Sequence, residues 1–237
     1  MSWLFDAAGE KLDVASSVIT DDNTPWTIGA WVKASDIAPA ANMFAVTFHN
    51  NSTDNLYGLL LTLTTATPQL RIRDTANATA TASASLAGTG TWYHIAARST
   101  GANSYAVYLD GANVGTSGST KAISGFSAIT VGNEPGGNRF KGRMAHVAIW
   151  GSDIGAADIA DLAAGRNPLD TAYFVAPSAY WTLDNASTGL DDVSGAAFGS
   201  LTATGATFDA DNPTVDAPPG GSHKLVGKFG GKLRGKI

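Results

Sequence analysis

Short runs in which apolar residues occupy every second position, separated by turn residues, recur along most of this 237-residue chain and confine it to a mostly β architecture. In Trp26-Thr27-Ile28-Gly29-Ala30-Trp31-Val32-Lys33 the residues Trp26, Ile28, Ala30 and Val32 share one face, the pattern of a half-buried strand, and Trp31 is out of phase and points the other way. Further strands are predicted over residues 3–5, 11–14, 43–48, 57–63, 70–73, 92–98, 105–109, 128–131, 142–150, 179–183 and 201–208, with Asp110-Gly111 as a tight hairpin turn. Residues 75–90 are nearly all Ala, Thr, Ser and Gly and read as a plain strand or a loop. Composition excludes a helical bundle: Glu occurs only at Glu10 and Glu134, and Gly, Ala, Thr, Ser and Asn dominate.

One helix interrupts the strands. After Trp150 the period changes, and Ile154, Asp158, Ile159, Leu162 and Ala163 fit one helical face, with Ser152 or Asp153 as the N-terminal cap and Gly165 and Pro168 as stop signals. A single domain is predicted over residues 1–215, followed by a Pro- and Gly-rich linker at 216–222 and an arm at 223–237.

The arm reverses the charge of the body. Ten of the fifteen basic residues and all twenty acidic ones lie in residues 1–221, a formal charge of −10, whereas Lys224, Lys228, Lys232, Arg234 and Lys236 follow with no acid among them. Lys224-Leu225-Val226-Gly227-Lys228-Phe229 recurs as Lys232-Leu233-Arg234-Gly235-Lys236-Ile237, so an extended arm presents Leu225, Phe229, Leu233 and Ile237 on one face and cations on the other. Docking along another chain's sheet edge or acidic groove would satisfy both faces, which makes these nine residues the candidate partner-binding set. Nucleic acid is a poor partner, because the acidic body repels phosphate.

Several chemistries are excluded. The chain has no cysteine, hence no disulfide, thiolate metal site or cysteine nucleophile. His49, His94, His146 and His223 are scattered without metal-ligand spacing, and His94 and His146 read as hydrogen-bonded structural residues within strands. No Gly-x-Ser-x-Gly elbow occurs, and Gly132 to Gly137 lacks the strand-to-helix setting of a phosphate loop. No run of about 20 apolar residues could cross a membrane, and the first 20 residues lack a secretory signal pattern, so synthesis in a host cytoplasm is expected.

The segments Trp26-Thr27-Ile28-Gly29-Ala30-Trp31-Val32, Trp92-Tyr93-His94-Ile95-Ala96, Tyr108-Leu109-Asp110-Gly111, Val131-Gly132-Asn133 and Phe140-Lys141-Gly142-Arg143-Met144-Ala145, with the helix after Trp150, resemble laminin-G-like, concanavalin A-like domains in order and spacing. The resemblance implies two antiparallel sheets packed as a jelly-roll sandwich. Single-domain members without a secretion signal resemble proteins carried on bacteriophage particles. Glycan-cleaving relatives resemble one another in alternating carboxylates on one strand, a pattern absent here, so no enzyme is expected. Laminin-G-like domains often hold calcium through loop oxygens. Asp54, Asn55, Asp74, Asn133 and Glu134 are the candidates here, although Met144-Ala145-His146 stands where many relatives place an acid. Most tryptophans should fill the space between the sheets, and Trp31 is the candidate glycan platform.

These readings combine into one expectation: a non-enzymatic jelly roll without an obligate cofactor, fastened by its arm to virion or capsid proteins in a large assembly, displayed on a virion surface, and able to bind cell-surface glycans. A free carbohydrate-binding lectin module and a glycoside hydrolase are the alternatives.

Overall fold

The computed structural model describes residues 1–216 except residues 22, 75, 76, 82, 119–122 and 171–174. In chain order the described strands are β1 (Ser2–Phe5), β2 (Lys11–Val14), β3 (Trp26–Ala34), β4 (Met43–His49), β5 (Leu56–Leu61), β6 (Pro68–Arg73), β7 (Asn77–Thr81), β8 (Tyr93–Ser99), β9 (Tyr105–Leu109), β10 (Ala112–Ser117), β11 (Ala128–Val131), β12 (Gly142–Trp150), β13 (Ala179–Trp181), β14 (Thr202–Thr204) and β15 (Thr207–Asp209); helix α1 (Gly155–Ala163) lies between β12 and β13. One sheet has the order β10-β9-β8-β3-β12-β1-β15, with β13 also paired to β12, and the other has the order β14-β2-β11-β4-β5-β6-β7. All pairings within both sheets are antiparallel. This is the mostly β chain with one short helix that the sequence pattern predicts, folded as the two-sheet jelly-roll sandwich that the resemblance implies.

The alternating positions do what period two requires. Trp26, Ile28, Ala30 and Val32 from β3, Val46 and Phe48 from β4, and Ile129 and Val131 from β11 meet in one core between the sheets. Fully burying each large apolar side chain contributes roughly 1.5–3 kcal/mol. Alternation along β12 is broken once. Two residues oppose Ala30 between the pairs Ala145↔Trp31 and Ala148↔Gly29, and His146 takes φ +50° there. This bulge reverses the phase, so Met144 before it and Val147 and Ile149 after it all reach the core, while Ala148 and Trp150 join the opposite face.

Several local expectations change in detail. The strand predicted over 201–208 is two short strands, because the chain crosses from one sheet to the other at Gly205. The α1 cap is Ile154 and has no side-chain cap hydrogen bond. Asp153, one residue earlier, accepts the Gly155 N–H at 2.9 Å, and the Ser152 carbonyl is occupied by the Thr27 hydroxyl at 3.1 Å. Asp158 is not on the buried face of α1, which consists of Ile159 and Leu162. Residues 77–81 within the Ala/Thr/Ser/Gly stretch form the edge strand β7.

Much of the outer face of the larger sheet is covered. Helix α1 sets Ile159 against Ala96, Ala106 and Tyr108, and Leu162 against Ala148, Trp150 and Tyr180. The Asp110-Gly111 turn abuts the helix. Gly111 has φ +80°, and a Cβ there would lie 2.8 Å from Ala160 Cα, so the turn and the helix contact both require glycine. The last described residues then cross the same sheet as a strap. Asp211 receives Lys33 Nζ at 2.5 Å and Trp92 Nε1 at 3.1 Å, Asp209 receives Arg143 Nη2 at 2.9 Å, and at Asp216 the backbone N–H donates to Gly165 O at 2.7 Å. The rest of the linker and the arm, including all nine candidate partner-binding residues, lie outside the described residues. Among the described residues no helix is long and apolar enough to cross a membrane.

Gly142 tests the register of the β3–β12 pair. Its φ is +135°, and an added Cβ would lie 2.2 Å from the Lys33 carbonyl oxygen. Gly142→Ala should therefore destabilise the domain by about 2 kcal/mol or more in urea unfolding. A loss within experimental error would contradict this register.

Candidate functional site

The outer face of the seven-stranded sheet holds a trough of about 250 Å3 over β2, β11 and β4, walled by the loops at Asn51 and at Glu134-Pro135. Strand parity builds its floor. Leu12, Ile129 and Phe48 enter the core, so their neighbours Lys11, Asp13, Thr130 and His49 project outward, and the pairings Thr130↔Asp13 and Ala128↔His49 set them side by side. The Asn51 N–H donates to His49 Nδ1 at 3.0 Å, which leaves the ring proton on Nε2 to donate to Thr130 Oγ1 at 2.9 Å. The Thr130 hydroxyl donates to Asp13 Oδ1 at 2.6 Å, and Lys11 Nζ meets Asp13 Oδ2 at 2.7 Å. Each group is thus oriented by the next one, from a backbone amide to an exposed ammonium. Burial lowers the His49 imidazole from its ordinary value, with Asp13 opposing the shift and Lys11 adding to it.

The wall at Glu134 is rigid. The Asn133 carbonyl accepts the Thr47 hydroxyl at 2.9 Å, Asn133 Nδ2 donates to Glu10 O at 3.3 Å, and Asn133 Oδ1 accepts the Glu134 N–H at 2.8 Å. Glu134 is buried. Its Oε1 accepts from Asn138 Nδ2, while Oε2 is buried without a hydrogen-bond partner among the described residues. Nearby, the Arg71 guanidinium lies 5.2 Å over the Phe44 ring. Burial lowers its pKa, and Glu134 opposes that shift.

The other sheet has no comparable opening beside Trp31. The ring does turn away from the core, but it is half-buried and meets His94 edge-on at 5.5 Å. The space that it shares with His94, His146, Trp150, Arg166 and Val215 is about 10 Å3, room for about one water. His146 Nδ1 bonds the Tyr180 hydroxyl at 2.7 Å, and burial raises the Tyr180 pKa.

A family model described as the concanavalin A-like lectin/glucanases superfamily, in a laminin G group, matches residues 6–160. The chain belongs to that superfamily. No curated protein sequence matches it. Among solved structures, a putative carbohydrate-binding protein from Bacteroides ovatus is similar with a TM-score of 0.64 at 19% identity, over 92% of this chain and 60% of that one. Domain 4 of the extracellular arabinanase AbnA from Geobacillus stearothermophilus, in complex with arabinotriose, gives 0.56 at 14% identity, over 65% and 72%. The CBM40 of a Ruminococcus gnavus IT-sialidase, bound to α2,3-sialyllactose, gives 0.57 at 14% identity, over 68% and 96%.

Several of the calcium candidates have partners within the protein. Asp54 faces Arg73 at 3.9 Å, the Asn55 amide donates to Ser124 O at 2.5 Å, and Asn133 and Glu134 are held as described. Asp74 follows β6 directly. Among the described residues no group of three or more His, Asp or Glu could hold a metal ion. Glu10 accepts the backbone N–H groups of Asp6 and Ala7, which ties its carboxylate to its own turn. Sequence reasoning missed the trough because His49, Thr130, Asp13 and Lys11 come from three distant segments. Their outward parity was readable, but the β2-β11-β4 order that assembles them was not.

Two buried histidines give the domain a testable pH dependence. Burial pushes His94 down to about 3; it pushes His146 down to about 4, with Asp184 opposing. An unfolded histidine titrates near ~6.5, so below that pH the unfolded chain binds protons that the folded chain refuses, and stability falls as pH drops toward the folded values. Between about pH 7 and about pH 5 each should lose about 2 kcal/mol, and His94→Gln should remove its share of the slope in urea unfolding. An unchanged slope in that variant would contradict burial as a neutral imidazole.

Proposed function

We propose that this chain is a non-catalytic glycan-binding module that uses the trough over β2, β11 and β4, carried on a larger assembly by its basic C-terminal arm. The observation that supports the glycan reading most is the pair Lys11 Nζ and Asp13 Oδ2, 2.7 Å apart and both partly exposed at the trough rim. Two adjacent sugar hydroxyls fit such a pair, one accepting from the ammonium and the other donating to the carboxylate. The pair is fixed in place by Thr130 and His49, so little ordering entropy is lost on binding. Superfamily membership and the arabinotriose and sialyllactose complexes of similar structures are consistent with this ligand class.

The setting of the two glutamates supports binding without cleavage. Glu10 and Glu134 are each buried and engaged in their own loops. The arm's repeat of cations and apolar residues supports attachment, and a virion surface is the assembly this reading names.

A glycan array followed by titration calorimetry tests the proposal. Asp13→Asn keeps the shape of the carboxylate and removes its charge, and should weaken glycan binding about tenfold while the domain stays folded. Equal affinity in the variant would refute the trough as the site. Removing residues 222–237 should leave glycan binding intact and abolish incorporation into the assembly; unchanged incorporation would refute the arm as the attachment.

A further inference from the structure

A second concavity, of about 300 Å3, lies on the opposite side of the molecule, over the β8-β9-β10 end of the larger sheet that α1 and the strap leave open. Register explains its shape. Arg98, Ala106 and Thr116 are paired in one row across the three strands, and the small methyl of Ala106, packed on its α1 side by Ile159, sits between two longer side chains. Thr100 and Ser104 close one end, their hydroxyls joined at 2.7 Å, and Asn113 closes the other where a bulge interrupts the β9–β10 pairing. The floor is therefore a dish ringed by hydroxyls and amides.

Its charge decides what it can hold. Among the described residues of the lining Arg98 is the only charged side chain, and its Nη1 donates to both Asp153 oxygens at 2.9 Å. The guanidinium is also held 5.9 Å over the Tyr108 ring. A matched ion pair leaves no net charge to capture a free anion. The Asn113 side-chain oxygen is occupied by the Gly115 N–H at 3.2 Å, which leaves its amide NH2 directed elsewhere as a donor. Donors and acceptors thus stand together on a neutral surface.

We infer that the Arg98-Ala106-Thr116 dish is a second binding site, for the hydroxyl groups of a neutral saccharide. It shares no residue with the trough and lies on the other face of the sandwich, so one molecule can engage two glycan chains or two points of a branched one. Two weak contacts on opposite faces multiply in avidity without any new interface. The inference shares the ligand class of the reading above but not its residues, and the two fail separately.

Backbone amide NMR of the full chain, titrated with neutral methyl glycosides of glucose, galactose, mannose and arabinose and separately with sodium sulfate, tests it. Saturable shifts at Ser104, Ala106 and Thr116 with at least one glycoside, and none with sulfate, are expected. Thr116→Val removes one exposed hydroxyl and should weaken those shifts about fivefold without altering shifts around Asp13 and Thr130. Asp13→Asn should do the reverse. Sulfate shifts at the dish, no glycoside shifts there, or equal affinity in Thr116→Val would each overturn the second site.

Discussion

Everything in this molecule depends on how each sheet disposes of its outer face. The inner faces are committed to a common core of Trp26, Ile28, Phe48, Ile129 and their neighbours, as in any sandwich. The larger sheet then buries much of its second face as well, under α1 and under the strap held by Lys33, Trp92 and Arg143. The seven-stranded sheet instead keeps a polar strip over β2, β11 and β4 in contact with solvent. That asymmetry leaves the ligand-sized openings where the covering elements stop, and it sets Asp216 of the strap beside Gly165 and Asn167.

The strip is polar for a structural reason before a functional one. Outward positions on a half-exposed sheet tolerate Lys, Asp, Thr and His, but a solvated face gains nothing from ordering them. Here a backbone amide, an imidazole, a hydroxyl, a carboxylate and an ammonium are ordered in a single hydrogen-bonded sequence, and each fixes the orientation of its neighbour. Preorganisation of this kind is what a shallow polar site needs in order to bind without an aromatic platform.

Much of the fold was legible because period two is a strong signal: the faces of β3, the Asp110-Gly111 turn and the extent of α1 follow from spacing alone. His146 was not legible. Its bulge inserts one residue into β12 and reverses the alternation, which no local pattern announces. Trp31 was read correctly as outward, yet outward on the larger sheet means partly enclosed near the strap, a consequence of residues some 180 positions later. The trough was invisible for the same reason, since its floor is assembled from β2, β4 and β11 by long-range pairing. The neighbours of loop acids were equally hidden: Asp54 faces Arg73, and one Glu134 oxygen accepts from Asn138.

A crystal structure of the domain grown with a glycan identified on an array is the most direct test of the central claim, that the uncovered strip on the seven-stranded sheet is where sugar binds. The account predicts density for two adjacent hydroxyls against Lys11 and Asp13, with the His49-Thr130 contact unchanged. Sugar seated instead on the Trp31 side, with the strap displaced from Lys33 and Trp92, would contradict it.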